Sequence, residues 1–178
     1  MGENGLKWGV VDNSGARWLT TAKMPEESVN KLIYYNSLFR HGVDEKRRVQ
    51  IPAKWRPAEP DVEFTLILSP NAGKADACLL VLPPAEMKAL ADKISAMPSF
   101  ADPNATALRR LLGSNSANVT LDKVGRICLP DLMAKAVGIE TEAVLVGLVD
   151  RFEIWNPGRY EKVSAVDAAL LPEAFKLI

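Results

Sequence analysis

A chain of 178 residues, 48% hydrophobic and 25% charged, has an ordinary globular composition and fits one domain or two small halves sharing a core. Basic and acidic residues balance at 22 each, so no global positive field draws this chain to nucleic acid, and any such attraction must be local. No apolar run approaches the ~20 residues that span a membrane, and the N-terminus lacks a charged-then-apolar signal pattern.

Residues 1–33 differ from the rest of the chain. Lys7 to Val11 and Ala16 to Thr20 flank Asp12-Asn13-Ser14-Gly15, a pattern that allows a small hairpin. A lone hairpin is marginal in water. Ala22 to Asn30 is polar, contains Pro25 and reads as a linker. The segment is either a docking arm or a loosely attached extension, with Met24 as an alternative initiator.

From Leu32 to Val43 aromatic and apolar residues predict a strand, and Asp44 to Arg48 is a charged turn. Val49 and Ile51 alternate with polar neighbours as a second short strand. Pro52 opens a brief helical segment that Pro57 stops. A strand over 62–68, a turn at Asn71-Ala72-Gly73 and a returning strand over 78–82 come next. Pro84 opens a helix whose Met87, Leu90, Ala91, Ile94 and Met97 read as a core face, not a cofactor box. Asp102-Pro103 starts a second helix, with Leu108, Leu111 and Leu112 inward, Gly113 at its end, and Arg109 and Arg110 on a solvated face. Strands over 118–121 and 127–129 flank another charged turn, and a helix runs from Pro130 to Val137 before Gly138. Strands over 143–148 and 152–155 precede a C-terminal helix that starts at Asn156-Pro157 and carries Tyr160, Val163 and Val166 on one face.

The same stretch occurs twice in this chain. Asp44, Arg48 and Pro52 match Asp122, Arg126 and Pro130 at a single offset of 78 residues, which also carries Leu66-Ile67-Leu68 onto Val144-Leu145-Val146. Two copies of ββ(α)ββα, with one helix between them, predict a pseudo-symmetric pair around one core. Its parts are an extension (1–33), a first repeat (34–97), a connecting helix (98–114) and a second repeat with the C-terminal helix (115–178). Cys78 and Cys128 hold non-equivalent repeat positions, so they read as reduced thiols of a cytosolic protein rather than a disulfide or metal pair.

Phe39 to Arg56 resembles the opening motif of the MraZ family. So do Leu121 to Arg126 with Leu129-Pro130, and Val146-Gly147 followed by Phe152-Glu153-Ile154-Trp155. The resemblance spans about Tyr34 to Val163. It implies an α+β fold, a pseudo-two-fold double swapped-hairpin β-barrel of the SpoVT-AbrB type with peripheral helices. It also implies a bacterial transcriptional regulator that represses the division and cell-wall gene cluster, its own promoter included. Such a protein binds direct repeats in double-stranded DNA and assembles into a ring-like homo-oligomer at the nucleoid. The arginines ending the motifs, Arg48 and Arg126, are the implied DNA contacts.

Charge supports this. From Phe39 to Pro57 six basic residues (Arg40, Lys46, Arg47, Arg48, Lys54, Arg56) face Asp44 and Glu45, a net +4. From Ala117 to Lys135 the net is +1, from Lys123, Arg126 and Lys135 against Asp122 and Asp131. Lys46, Arg47, Lys123 and Arg40 are therefore candidate phosphate contacts beside the two arginines. Asp44 and Asp122 read either as catalytic carboxylates or as acceptors for their own turns, the second being the ordinary role of Asp. The single histidine, His41, argues against a histidine metal cluster or a Ser-His-Asp site, and no Gly-rich phosphate loop is present. No enzyme activity, cofactor, metal, membrane or small-molecule substrate is expected. A ring-forming protein without operator binding is the alternative. One departure stands out: where the second copy has Gly125, as in the family pattern, the first has Arg47. Either the first turn is reshaped, or Arg47 tolerates a positive φ at about 1 kcal/mol and adds a phosphate contact.

Overall fold

The computed structural model describes residues 32–69, 77–98 and 102–178. The expected N-terminal hairpin, linker and Met24, and the turn at Asn71-Ala72-Gly73, lie outside these residues. The first repeat gives β1 (Leu38–Gly42), β2 (Arg48–Gln50), a 3-10 turn (Ala53–Trp55), β3 (Glu63–Leu68), β4 (Leu79–Leu82) and α1 (Pro84–Ser95). After α2 (Pro103–Ser114), the second gives β5 (Ser116–Thr120), β6 (Arg126–Cys128), α3 (Asp131–Val137), β7 (Glu142–Gly147), β8 (Phe152–Trp155) and α4 (Pro157–Ala174). The 78-residue offset carries β1 onto β5 and β2 onto β6, end to end. Beyond Pro52 and Pro130 the copies diverge: Pro57 confines the first to a 3-10 turn, whereas the second continues to Gly138, a left-handed cap at φ 72°.

Antiparallel pairing builds a six-stranded sheet in the order β1-β7-β8-β4-β3-β5, and a separate two-stranded pair, β2-β6. Exchanging the repeats reverses the six-strand order onto itself. Each repeat's first strand pairs with the third strand of the other: Arg40 lies opposite Val144 and Asn118 opposite Thr65. Neither repeat can complete its hydrogen bonding alone, so the halves fold as one interleaved unit.

The core lies between the sheet and the β2-β6 pair. Val49 and Ile127 are fully buried and face each other across that pair. Trp55 and Phe152 are also fully buried, with ring centroids 5.1 Å apart, and Tyr35, Phe39 and Phe64 pack around them. On the sheet's other face, Cys78, Val144 and Trp155 are covered by Tyr160 and Val163 of α4. Strands covered on both faces explain the near-continuous apolar runs of β3, β4 and β7.

Several expectations need correction. The strand expected over 32–43 is only β1, because Ser37 takes φ 83° and breaks the extended chain. Tyr35 instead exchanges two 2.8 Å backbone bonds with Val149. A Cβ on Gly147 would collide with the Tyr35 carbonyl, so glycine is required there. On α1, Met87, Leu90, Ala91 and Ile94 are half-buried and Met97 is exposed, so the stripe rests on the sheet rather than inside a core. Helical periodicity marks which face turns inward, not how deep it goes. On α2 the buried residue is Ala105, Leu111 is exposed, and Gly113 lies inside the helix, whose end is marked by the Asn115 N–H bonding Leu111 O. Arg109 is not a solvated side chain: its Nη2 donates to the carbonyls of Ile94 (2.6 Å) and Met97 (3.0 Å), capping α1. Of the residues expected on one face of α4, Tyr160 and Val163 pack against the sheet, whereas Val166 is exposed.

The aromatic cluster predicts where stability resides. Trp55→Ala should cost about 3–5 kcal/mol by leaving a cavity among Tyr35, Phe39 and Phe152. Leu132→Ala, at a residue 81% exposed, should stay within about 0.5 kcal/mol. Denaturant midpoints compared at constant slope check both.

Candidate nucleic-acid interface

Two turns, 44–48 and 122–126, stand at the ends of the β2-β6 pair and are closed by matching bonds. In the first, Arg47 N donates to Asp44 O (2.8 Å) and Asp44 N to Arg48 O (3.2 Å). In the second, Gly125 N donates to Asp122 O (2.9 Å) and Asp122 N to Arg126 O (2.8 Å). Each aspartate then works as an acceptor inside its own turn. Asp44 Oδ1 accepts from Lys46 N and Arg48 N, both at 2.9 Å, and Oδ2 from Arg48 Nε at 2.8 Å. Asp122 Oδ1 accepts from Val124 N at 3.0 Å and Arg126 N at 2.9 Å, and Oδ2 from Arg126 Nε at 2.8 Å. The carboxylates hold the turns and aim the arginines, the second of their two readings.

The two arginines converge. Arg126 Nη1 reaches Asp44 Oδ2 at 3.4 Å, so this carboxylate takes a guanidinium from each repeat. The antiparallel register, Arg48 opposite Cys128 and Gln50 opposite Arg126, sets the two arginines diagonally on one face of the pair, two residues apart in register. Both keep about a third of the side chain exposed. Two oriented, forked cations side by side can donate to phosphate oxygens or to a guanine edge. These bonds also depress the acids: the Arg126 side chain and backbone pull Asp122 down to about 2, and the Arg48 amide and side chain lower Asp44.

The other candidate residues are placed less uniformly. Lys46 and Lys123 are exposed near the turn tips, at non-equivalent positions, since the offset carries Lys46 onto Val124. Arg47 takes φ 55° and Gly125 φ 83°, so the first turn is not reshaped: it accepts a left-handed non-glycine residue. The Arg47 guanidinium is ion-paired with Asp131 at the start of α3. Arg40 is drawn away from the turns, to Glu161 at 3.1 Å and Glu142 at 3.9 Å. The net +4 around the first turn is thus partly neutralised by acids distant in sequence. His41 adds no charge at neutral pH, because burial and then the nearby Arg56 lower its pKa.

Sequence reasoning gave two residues no role in the site, Gln50 and Arg56, the latter only counted for its charge. Gln50 Nε2 donates to the carbonyls of Val124 and Gly125, each at 2.9 Å. Arg56 Nε donates to Ile51 O at 2.8 Å, and its guanidinium occupies the space a Cβ on Gly125 would need. Nothing local in the sequence marks them, since both act on the opposite repeat. Among the described residues no group of three or more His, Cys, Asp or Glu could hold a metal, and no helix is long and apolar enough to cross a membrane.

Fold and site together define a class: a duplicated, interleaved α+β module that presents one aspartate-braced arginine turn from each half. Residues 112–174 match the family model described as "MraZ protein, putative antitoxin-like". The chain is 34% identical over 131 residues to the transcriptional regulator MraZ of Thermomicrobium roseum, covering 74% of this chain and 87% of that protein. It is 36% identical over 125 residues to its counterpart in Herpetosiphon aurantiacus (70% and 82%), and 30% over 130 residues to that of Acidithiobacillus ferrooxidans (71% and 85%). The chain belongs to the MraZ family.

A carboxylate whose folded pKa is depressed stabilises its turn fully above its unfolded pKa and loses that contribution as pH falls through the folded value. Asp122 should therefore hold its turn down to about pH 2, past the ~3.9 at which a free aspartate titrates. An NMR titration of the Arg126 amide and Asp122 carboxyl checks this; a midpoint near that of free aspartate would show the bracing absent in solution.

Proposed function

We propose that this chain is a sequence-specific DNA-binding transcriptional regulator whose reading head is the pair of arginine turns. It would act at the nucleoid as a repressor of the division and cell-wall gene cluster, including its own promoter. The observation that carries this reading is the convergence of Arg48 and Arg126, each held by its own aspartate and both reaching Asp44. Bracing fixes guanidinium geometry before any partner arrives, and a bidentate Arg–guanine contact needs that geometry. The relatives' shared name, transcriptional regulator, points the same way. No catalytic step is part of this reading.

The finer architecture belongs to the same proposal. The self-reversing strand order and the cross-repeat pairing of β1 with β7 and β5 with β3 support a double swapped-hairpin barrel of the AbrB type. On that reading the repeats are 34–97 and 115–178, joined by α2. Two short turns give a small footprint, and linking several copies raises avidity without new contacts. Val166, Leu170, Leu171 and Phe175, exposed at the C-terminal end, supply apolar surface for such self-association into a ring.

Two measurements test the reading. On duplexes selected by the protein from a random pool, Arg48→Ala and Arg126→Ala should each lose about 1–3 kcal/mol of sequence discrimination per contact. Lys46→Ala and Lys123→Ala should weaken all sequences alike and lower the salt slope by about one per lost phosphate contact. Arginine variants that bind like the parent would leave the ring-forming protein without operator binding as the better account. Light scattering at micromolar concentration should give a multiple of the 19.5 kDa chain mass; a monomer mass counts against the ring.

A further inference from the structure

The two turns look alike but are anchored by unlike chemistry. Gln50 and Cys128 are repeat equivalents, and each reaches the turn of the other repeat. Gln50 gives the second turn two amide hydrogen bonds, to Val124 O and Gly125 O. Cys128 Sγ stands 3.3 Å from Lys46 O, the equivalent of Val124 O, and a thiol is only a weak donor. Arg56 adds to the hold on the second turn by packing against Gly125 while bonded to a neutral carbonyl.

The first turn has a different anchor. Arg47 stands where the second turn has Gly125, and its partner Asp131 stands where the first repeat has Ala53. That pair is open to water, with side chains 35% and 46% exposed, and Asp131 is shared with Lys135 at 2.9 Å. Exposed ion pairs weaken as salt screens them, whereas neutral amide–carbonyl bonds do not.

We propose that Gln50 and Arg47 are positioning residues for the two arginine turns. Both turns share a screened Asp–Arg brace, but Gln50 adds a neutral amide clamp to the second and Arg47 an ion pair to the first, so rising ionic strength loosens the first more than the second. Arg126 then keeps more of its preset geometry under conditions where Arg48 becomes adaptable, making the two halves of the reading head unequal. That last consequence rests on the DNA-binding reading; the clamps do not, and are measured on the full chain without DNA.

Amide hydrogen exchange by NMR, at about 0.01 M and about 1 M salt, spans Debye lengths from about 30 Å to about 3 Å. In the parent, Lys46, Arg47 and Arg48 should exchange several-fold faster at high salt, with Val124, Gly125 and Arg126 as an internal reference that changes distinctly less. Gln50→Ala should speed the second turn about thirtyfold at both salts, the size expected for two lost hydrogen bonds, and leave the first turn alone. Asp131→Asn should bring the first turn to its high-salt rates already at low salt. Equal salt responses of the two turns in the parent, or parental second-turn rates in Gln50→Ala, overturn the proposal. Should Gln50→Ala not fold, Cys128→Gln decides: it offers the first turn the missing amide, and a first turn that still loosens with salt as much as in the parent sinks the idea.

Discussion

The three-residue pairing of β2 with β6 is the constraint on which the site depends. Val49 and Ile127 are fully buried on its inner side, and the register they fix decides where the flanking turns fall. A one-residue slip would leave only one of these side chains inside, turning the other to the outer face and its neighbouring arginine inward. Burying those two side chains therefore does more than seal the core. It sets the spacing and direction of the guanidiniums, whose remaining freedom Asp44 and Asp122 remove.

Around this pair the molecule is symmetric in backbone and asymmetric in side chains. Both turns use the same hydrogen bonds, the same acid and a left-handed residue at the same place. Yet the space beside that residue is filled once from each direction. In the second turn glycine leaves room and Arg56 enters it; in the first the turn itself carries the arginine, and Ala134 stands where the offset places the counterpart of Arg56. A backbone strain of about 1 kcal/mol at Arg47 is of the size that an exposed ion pair with Asp131 can offset. Duplication fixed the frame, and the two halves then met the same steric demand with different residues.

The rest of the fold serves to keep that frame rigid. Trp55 lies just beyond the first turn in sequence and roots it in an aromatic cluster with Phe39, Phe152 and Tyr35. In the second repeat the counterpart of Trp55 is Met133, part of the same core, so one large ring and one flexible side chain fill the two sides of a single interior. Helices α1, α2 and α4 lie outside this arrangement, whereas α3 contributes Met133, Ala134 and Val137 to it. None of α1 or α4 is fully buried, and α1 is tied at its end by Arg109 of α2.

Much of this was legible in the amino-acid sequence, because it is written in local chemistry. The doubled Asp-x-x-x-Arg-x-x-x-Pro located both turns, the prolines located the starts of α1, α2 and α4, and a single shared offset implied pairing between copies. Asp44 and Asp122 could be read as turn acceptors because a carboxylate two residues from free amides bonds them whatever the wider fold. Contacts between the two repeats could not be read this way. Gln50 meets the second turn some 75 residues away, and Arg40 and Arg47 find Glu161 and Asp131 in distant elements. A charge count over a sequence window therefore described an excess that folding partly cancels. Helix depth was hidden for the same reason: an amphipathic stripe shows which side of α1 faces protein, while only the layers beneath it decide whether that side is core or edge.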